Sequence, residues 1–486
     1  MKPIPLIFLA AFLTAAATSP AQIPAKPNIL FILTDDQAVD TIAALGEAIP
    51  GSVTVQTPNL DRLARSGTAF RNASNMGAWN GAVCVASRSM LNTGRFLWPA
   101  EAAEKGKYQR EIKGGRFWSQ RMRAAGYDTY MAGKWHVEAP AATLFDHLGT
   151  VRPGMPGSRA SAYQRPREGE PDVWQPWDES LGGYWKGGRH WSEVLADETS
   201  GFLKSAAKSD KPFFMYIAFN APHDPRQAPR SFVERYPADQ LGLPPNFKPL
   251  HPLHEAMGLG PATDQALRDE ALAPFPRTEH AVRVHRREYY ALVTHLDAQI
   301  GRILDTLREQ GLAEKTVVIL TSDHGLAVGR HGLMGKQSMY QHSMRVPFVI
   351  AGPGIPAGRV IDTRIYLQDA MATSLDLAGA DASGVDFKSL RPLLRGDSAE
   401  PYDAVYGAYM ARNQRSIVAG NHKLILYPTA GVAELFDLLA DPLEMNDLAA
   451  RPDSLSTQKR LFSRLRKLQA EMGDRLDLTA TFPGLK

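Results

Sequence analysis

Five short apolar runs, each bounded by turn residues and separated by helix-like stretches, constrain this chain more than any other feature. They cover residues 28–33, 127–132, 213–219, 316–320 and 346–350. Apolar runs of this length alternating with helices indicate a mostly parallel sheet covered on both faces. One intervening helix is well punctuated: Thr57 caps it, Pro58 opens it, Leu60, Leu63 and Ala64 share a face, and Gly67 closes it. Residues 283–310 make a longer amphipathic helix with Tyr290, Val293, Leu296, Ile300 and Leu304 on its stripe. Past Gly396-Asp397-Ser398 the composition shifts to short strand-like runs at 404–409, 416–418 and 423–427, then an amphipathic helix at 454–472. The predicted fold is α/β, a large mostly parallel mixed sheet sandwiched by helices over residues 22–395. A smaller α+β carboxyl-terminal subdomain follows over 396–486.

Ionisable residues cluster just after four of the five runs. Asp35 and Asp36 follow the first, Lys134 and His136 the second, His223 the third, and Asp323 and His324 the fourth. Open α/β sheets bind ligands at the carboxyl ends of their strands, so these groups are expected to share one crevice. Residues 149–188 and 237–276 are rich in Gly and Pro with no periodicity, and read as long insertions at the rim of that crevice.

Hydrophobic residues make up 44% of the chain and charged residues 22%, which excludes disorder and a membrane bundle. The start, with Lys2, an apolar run from Ile4 to Ala17 and a small-residue exit at Ser19-Pro20-Ala21, has the form of a signal peptide over residues 1–21. The protein is therefore expected to be exported, periplasmic or secreted, with no integral membrane segment. The net charge of +4 is thinly spread. The densest basic cluster, Arg283, His285, Arg286 and Arg287, lacks interleaved aromatics and reads as a solvated helix face, not a nucleic-acid site.

An exported chain normally pairs its cysteines, yet this one has a single cysteine, Cys84. The segment from Cys84 to Gly94 suits a short helix with Cys84 at its amino end and Arg88 one turn on. Asp35, Asp36 and Asp323 with His324 offer an oxygen-rich donor set, suited to Ca²⁺ or Mg²⁺, with Mn²⁺ or Zn²⁺ open because of the imidazole. Taken alone, the Asp35-Asp36 pair is also compatible with a helix cap or a solvated turn.

The run Cys84-Val85-Ala86-Ser87-Arg88, followed by Leu91, Thr93 and Gly94, resembles the modification motif of formylglycine-dependent sulfatases of the alkaline phosphatase superfamily. Further matches extend along nearly the whole mature chain. They include Asp35-Asp36-Gln37, Gly133-Lys134-Trp135-His136, Ala221-Pro222-His223, Ser322-Asp323-His324-Gly325, Gly335-Lys336 and Leu435-Phe436-Asp437-Leu438. The resemblance implies an alkaline phosphatase-like fold and oxidation of Cys84 to formylglycine (3-oxoalanine) by a formylglycine-generating or radical maturation enzyme. It implies a cation, usually Ca²⁺, with Mg²⁺ or Mn²⁺ as alternatives, held by Asp35, Asp36, Asp323, His324 and residue 84. Arg88 and Lys134 would hold the hydrated aldehyde. His223 and Lys336 would bind sulfate and help protonate the leaving alcohol, and His136 would take the proton whose loss expels sulfate.

The long Trp- and Arg-rich insertions favour a sulfated carbohydrate substrate, with Arg95, Trp98 and Arg226 as candidate contacts, although Trp98, flanking the cysteine segment, fits simple packing slightly better than stacking on a sugar. Two alternatives compete: a phosphodiester or phosphonate monoester hydrolase using the same nucleophile, and a non-catalytic sulfated-glycan binder. Ala86 stands where the family most often has proline, and His324 where many relatives have asparagine. Oligomeric state is not legible in the sequence.

Overall fold

The computed structural model describes residues 23–45, 53–157, 159–263 and 265–486. The expected signal peptide lies outside them. Eight strands form the main sheet: β1 (Asn28–Thr34), β2 (Gly67–Phe70), β3 (Asp128–Lys134), β4 (His147–Arg152), β5 (Phe213–Ala218), β6 (Thr316–Ser322), β7 (Phe348–Ala351) and β8 (Arg359–Ile361). Their order is β8-β2-β7-β6-β1-β5-β3-β4, and only β7 runs against its neighbours. The central strand β1 is buried on both faces. Leu30 and Ile32 join one core with Leu292, Val293, Leu296 and Ile300 of the long helix, while Ile29, Phe31 and Leu33 join the other with Trp118 and Tyr216. That double burial is the physical reason for the unbroken apolar run.

The first helix, α1 (Pro58–Ser66), lies where the sequence places it, but Thr57 does not cap it with its side chain. Its hydroxyl instead donates to the Thr41 carbonyl at 3.2 Å. Helix α2 (Val83–Thr93) carries Cys84 in its first turn and ends at Gly94, whose φ of 68° is left-handed. Four poor helix formers sit in α2, and each finds a partner. Ser87 donates to the Asp323 carbonyl at 3.1 Å, Asn92 to Arg88 at 2.9 Å and Thr93 to Ser89 at 2.7 Å, while Ser89 bonds the Tyr108 hydroxyl at 2.9 Å. Helix α3 (Leu97–Lys105) follows.

The long helix α4 (Glu279–Glu309) begins four residues earlier than predicted, where the Thr278 side chain accepts from the Ala281 amide at 3.1 Å. Its basic start is not a solvated face, since His285 and Arg286 are both buried. The insertion after residue 149 begins inside β4, an edge strand that sequence patterning missed. Most of its side chains face solvent, so no apolar run marks it.

A second sheet contains β9 (Ala404–Tyr409), β10 (Gln414–Ala419), β11 (His422–Tyr427) and β12 (Val432–Asp437), backed by α5 (Leu455–Met472). Strand β12 was not anticipated. The short strand Gly77–Ala78, from just before α2, completes this sheet by pairing in parallel with β9. Met76, Val83, Cys84, Ala86 and Met90 consequently share one core with Ile417, Leu424, Phe462 and Leu465. No helix among the described residues is long and apolar enough to cross a membrane.

Candidate active site

Parallel register brings the carboxyl ends of four strands level. Thr34 of β1 pairs with Ser322 of β6, Leu33 with Ala218 of β5, and Ala218 with Gly133 of β3. The residues just beyond these pairs are Asp35, Asp323, the 219–223 loop and Lys134. Backbone bonds tie them together: Asp35 donates to the Ala221 carbonyl and Asp323 to the Thr34 carbonyl, each at 3.1 Å.

Carboxylate oxygens of Asp35, Asp36 and Asp323 lie with the Cys84 sulfur inside a cluster whose ligand atoms are within 4.8 Å of one another. All four residues are buried. Cations surround them. Arg88 Nε donates to Asp323 at 2.9 Å, and its Nη1 to the Lys134 carbonyl at 2.6 Å. Lys134 pairs with Asp35, and Lys336 with Asp36. Lys336 Nζ also reaches Cys84 Sγ at 3.4 Å, and that thiol is 3.3 Å from Asp35 Oδ1. His223 Nδ1 donates to the Asp224 carbonyl at 2.8 Å, which turns Nε2 toward Asp36 at 3.5 Å.

The charges are strongly perturbed. Burial, then Asp323, pushes Asp35 up to about 6. Burial, opposed by Lys336 and reinforced by Asp323, takes Asp36 to about 7. Asp323 is held well below the carboxylate range because Arg88 and then Lys134 outweigh its burial. Burial, Asp323 and Asp35 hold the Cys84 thiol well above its ordinary value, so it stays protonated. Burial would lower Lys336, yet Asp36 dominates and keeps it charged. Burial with Lys134 and Arg88 nearby depresses His136 to about 2, leaving a neutral imidazole.

This donor set fits a divalent cation. Three mutually repelling carboxylates converge, and Asp36 Oδ1 is buried with no hydrogen-bond partner. His324 is adjacent but outside the cluster. Its Nε2 lies 3.1 Å from the Val83 carbonyl and 3.2 Å from Asn75 Nδ2, and its Nδ1 is buried without a partner.

A cavity of about 480 Å³ opens above Cys84, His136, His223 and Lys336. Both insertions reach it: Pro153, Gly154 and Met155 come from one, Leu267, Arg268 and Asp269 from the other. Gly154 packs so closely on His136 that a Cβ there would overlap the ring. Arg268 bonds Asp269 at 2.5 Å and lies 3.8 Å from Asp224. Sequence reasoning missed Asp224, Arg268 and Asp269, although it placed the loops.

The three proposed substrate contacts are not in this cavity. Arg95 donates to the Gly384 carbonyl at 2.9 Å and pairs with Asp386. Trp98 donates to the Tyr406 hydroxyl at 3.0 Å. Arg226 is buried, 3.1 Å from His285 Nδ1 and over the Tyr289 ring. Each guanidinium or indole is engaged by its own surroundings.

Carboxylates and cations converging at the strand ends of this sheet define a hydrolase of anionic esters with the alkaline phosphatase fold. A sulfatase family model matches residues 27–380, and a model of the N-sulphoglucosamine sulphohydrolase carboxyl-terminal region matches 329–471. The chain belongs to the sulfatase family, and is a sulfuric ester hydrolase. It is 28% identical over 483 residues to an ulvan-active sulfatase of Formosa agariphila, covering 93% of this chain and 82% of that one. It is 29% identical over 450 residues to a choline-sulfatase of Rhizobium meliloti, covering 88% and 83%. Among solved structures, BT4656 in complex with its substrate D-glucosamine-2-N,6-O-disulfate superposes with a TM-score of 0.67 at 23% identity, covering 93% of this chain and 99% of that one.

Proposed function

We propose that the enzyme removes sulfate from an O-sulfated carbohydrate, using residue 84 as a formylglycine nucleophile beside a divalent cation, Ca²⁺ by preference. The observation that carries this reading is the buried cluster of Asp35, Asp36, Asp323 and Cys84, clamped by Arg88, Lys134 and Lys336. A thiol held protonated by its surroundings is a poor nucleophile, so the unmodified side chain is ill suited to attack sulfur. Once installed, the formylglycine hydrate and the cation supply an activated hydroxyl and neutralise sulfate oxygens.

The chain's own residues do the rest. Asp35, Asp36 and Asp323 hold the cation, with His324 Nδ1 as the next donor. Arg88 and Lys134 fix the oxygen on residue 84. Lys336 and His223 bind the sulfate, and His223 Nε2 delivers a proton to the leaving alcohol. His136, neutral and half-buried at the cavity wall, accepts a proton from residue 84 as sulfate departs. Several fixed cations in a dry site are what a highly anionic transition state requires.

Carbohydrate specificity rests on the roomy cavity and on the ulvan-active and glucosamine-disulfate relatives. The amino-terminal segment supports export to the periplasm or medium, where a maturation enzyme must already have acted. Residues 22–395 form the catalytic part, and 396–486 a subdomain that buttresses α2. Sulfate release from a panel of sulfated saccharides tests the assignment, with aryl sulfate and aryl phosphate diester as references. Release from saccharides is expected. No release by formylglycine-bearing protein, or faster diester cleavage, would contradict it.

A further inference from the structure

Alongside helix α3, Trp98, Arg412 and Arg475 line a second cavity of about 630 Å³. They come from three separate places: Trp98 from α3, Arg412 from the turn between β9 and β10, and Arg475 from just past Gly473, which ends α5. The indole is held rigidly. Its Nε1–H donates to Tyr406, and the Arg415 guanidinium lies 4.9 Å from its ring centre. Arg415 is committed to Asp474 through bonds of 2.7 and 3.1 Å, and Glu101 at the cavity wall pairs with Lys105 at 2.7 Å. Those charges cancel. Arg412 and Arg475 are exposed, and neither has an ion pair or side-chain hydrogen bond among the described residues. The cavity thus presents two uncompensated guanidinium groups beside a fixed aromatic surface.

We infer that this cavity is a non-catalytic binding site for a sulfated polysaccharide, with Trp98 packing on a sugar ring and Arg412 and Arg475 binding sulfate groups. Guanidinium groups match the planar spacing of sulfate oxygens, and an indole offers apolar area to the sugar's C–H face. Met410, two residues before Arg412, donates to the Ala78 carbonyl at 2.7 Å, so the polymer is tethered beside the segment that leads into α2 and residue 84. Such tethering raises the local concentration of sulfate esters near the cleft. The choice of a saccharide, as opposed to another polyanion, rests on the proposed carbohydrate substrate.

Affinity electrophoresis of the full chain, in gels containing dextran sulfate or uncharged dextran, tests this. Wild-type protein should be retarded by dextran sulfate and not by dextran. The Arg412→Ala/Arg475→Ala variant should lose about tenfold or more in affinity. A charge-matched control at the exposed Lys113 and Lys208, Lys113→Ala/Lys208→Ala, should keep wild-type retardation. Melting curves establish that each variant is folded. Hydrolysis of a small aryl sulfate should be unchanged in both. Unaltered retardation of the arginine variant, an equal loss in the lysine control, or no retardation of wild type would overturn the second site. Failure of every protein, wild type included, to cleave any sulfate ester would strike the proposed function and leave the binding result standing.

Discussion

Cys84 occupies a position where charge on sulfur is disfavoured, because the site is dry and Asp35 and Asp323 face it. Replacing it tests its role without disturbing the surrounding ion pairs. Cys84→Ala is expected to lower sulfate release by on the order of 10⁴-fold or more, with a melting temperature close to wild type. The carboxylates make a separate prediction. Burial and mutual repulsion raise Asp35 to about 6 and Asp36 to about 7, so a bound cation should relieve a native-state penalty. Calorimetry should show Ca²⁺ raising the melting temperature and EDTA lowering it, and Asp36→Asn should blunt that response. These residues were legible because each follows an apolar run or sits in the modification motif. Chemical type and nearness in sequence single out Arg95, Trp98 and Arg226, but neither can reveal that Asp386, Tyr406 and His285 already engage them.

Elements set the aim of these side chains. Strand β3 delivers Lys134 directly after Gly133, whose φ of 94° and contact with the Ala218 carbonyl leave no room for a Cβ. Gly154 plays the corresponding part for His136 from the first insertion. Gly154→Ala should displace the imidazole and cut kcat by on the order of 10²-fold, while the melting temperature stays near wild type because the contact is with a ring edge and not with backbone. A steady-state comparison with His136→Ala checks this, since the two effects should not add. The main strands were readable because burial on both faces leaves an uninterrupted apolar run. Strand β4 was not, because it lies at the edge with most side chains exposed. Strand β12 escaped notice for a related reason: Val432 and Ala433 are only half-buried, and Glu434 sits among them, bonded to Tyr340 and Tyr427.

At the scale of the molecule, the two sheets are interlocked. The strand Gly77–Ala78 closes the second sheet, and the core beneath Cys84 is filled largely by residues of β9, β10, β11 and α5. A chain ending at residue 395 would expose that apolar core and leave α2 unsupported. It should therefore lack a cooperative melting transition and near-ultraviolet circular dichroism, and not merely lose activity. A composition shift near residue 396 marked the start of this region, but the crossing of a two-residue strand carries no pattern that sequence alone could show. The whole assembly serves to hold residue 84 among cations, and its chemical state is the most direct test. Peptide mass spectrometry of the 84-containing segment, from protein made in its native host, should find an aldehyde or its hydrate at that position, in proportion to sulfatase activity. A wholly unmodified thiol in active protein would contradict the account.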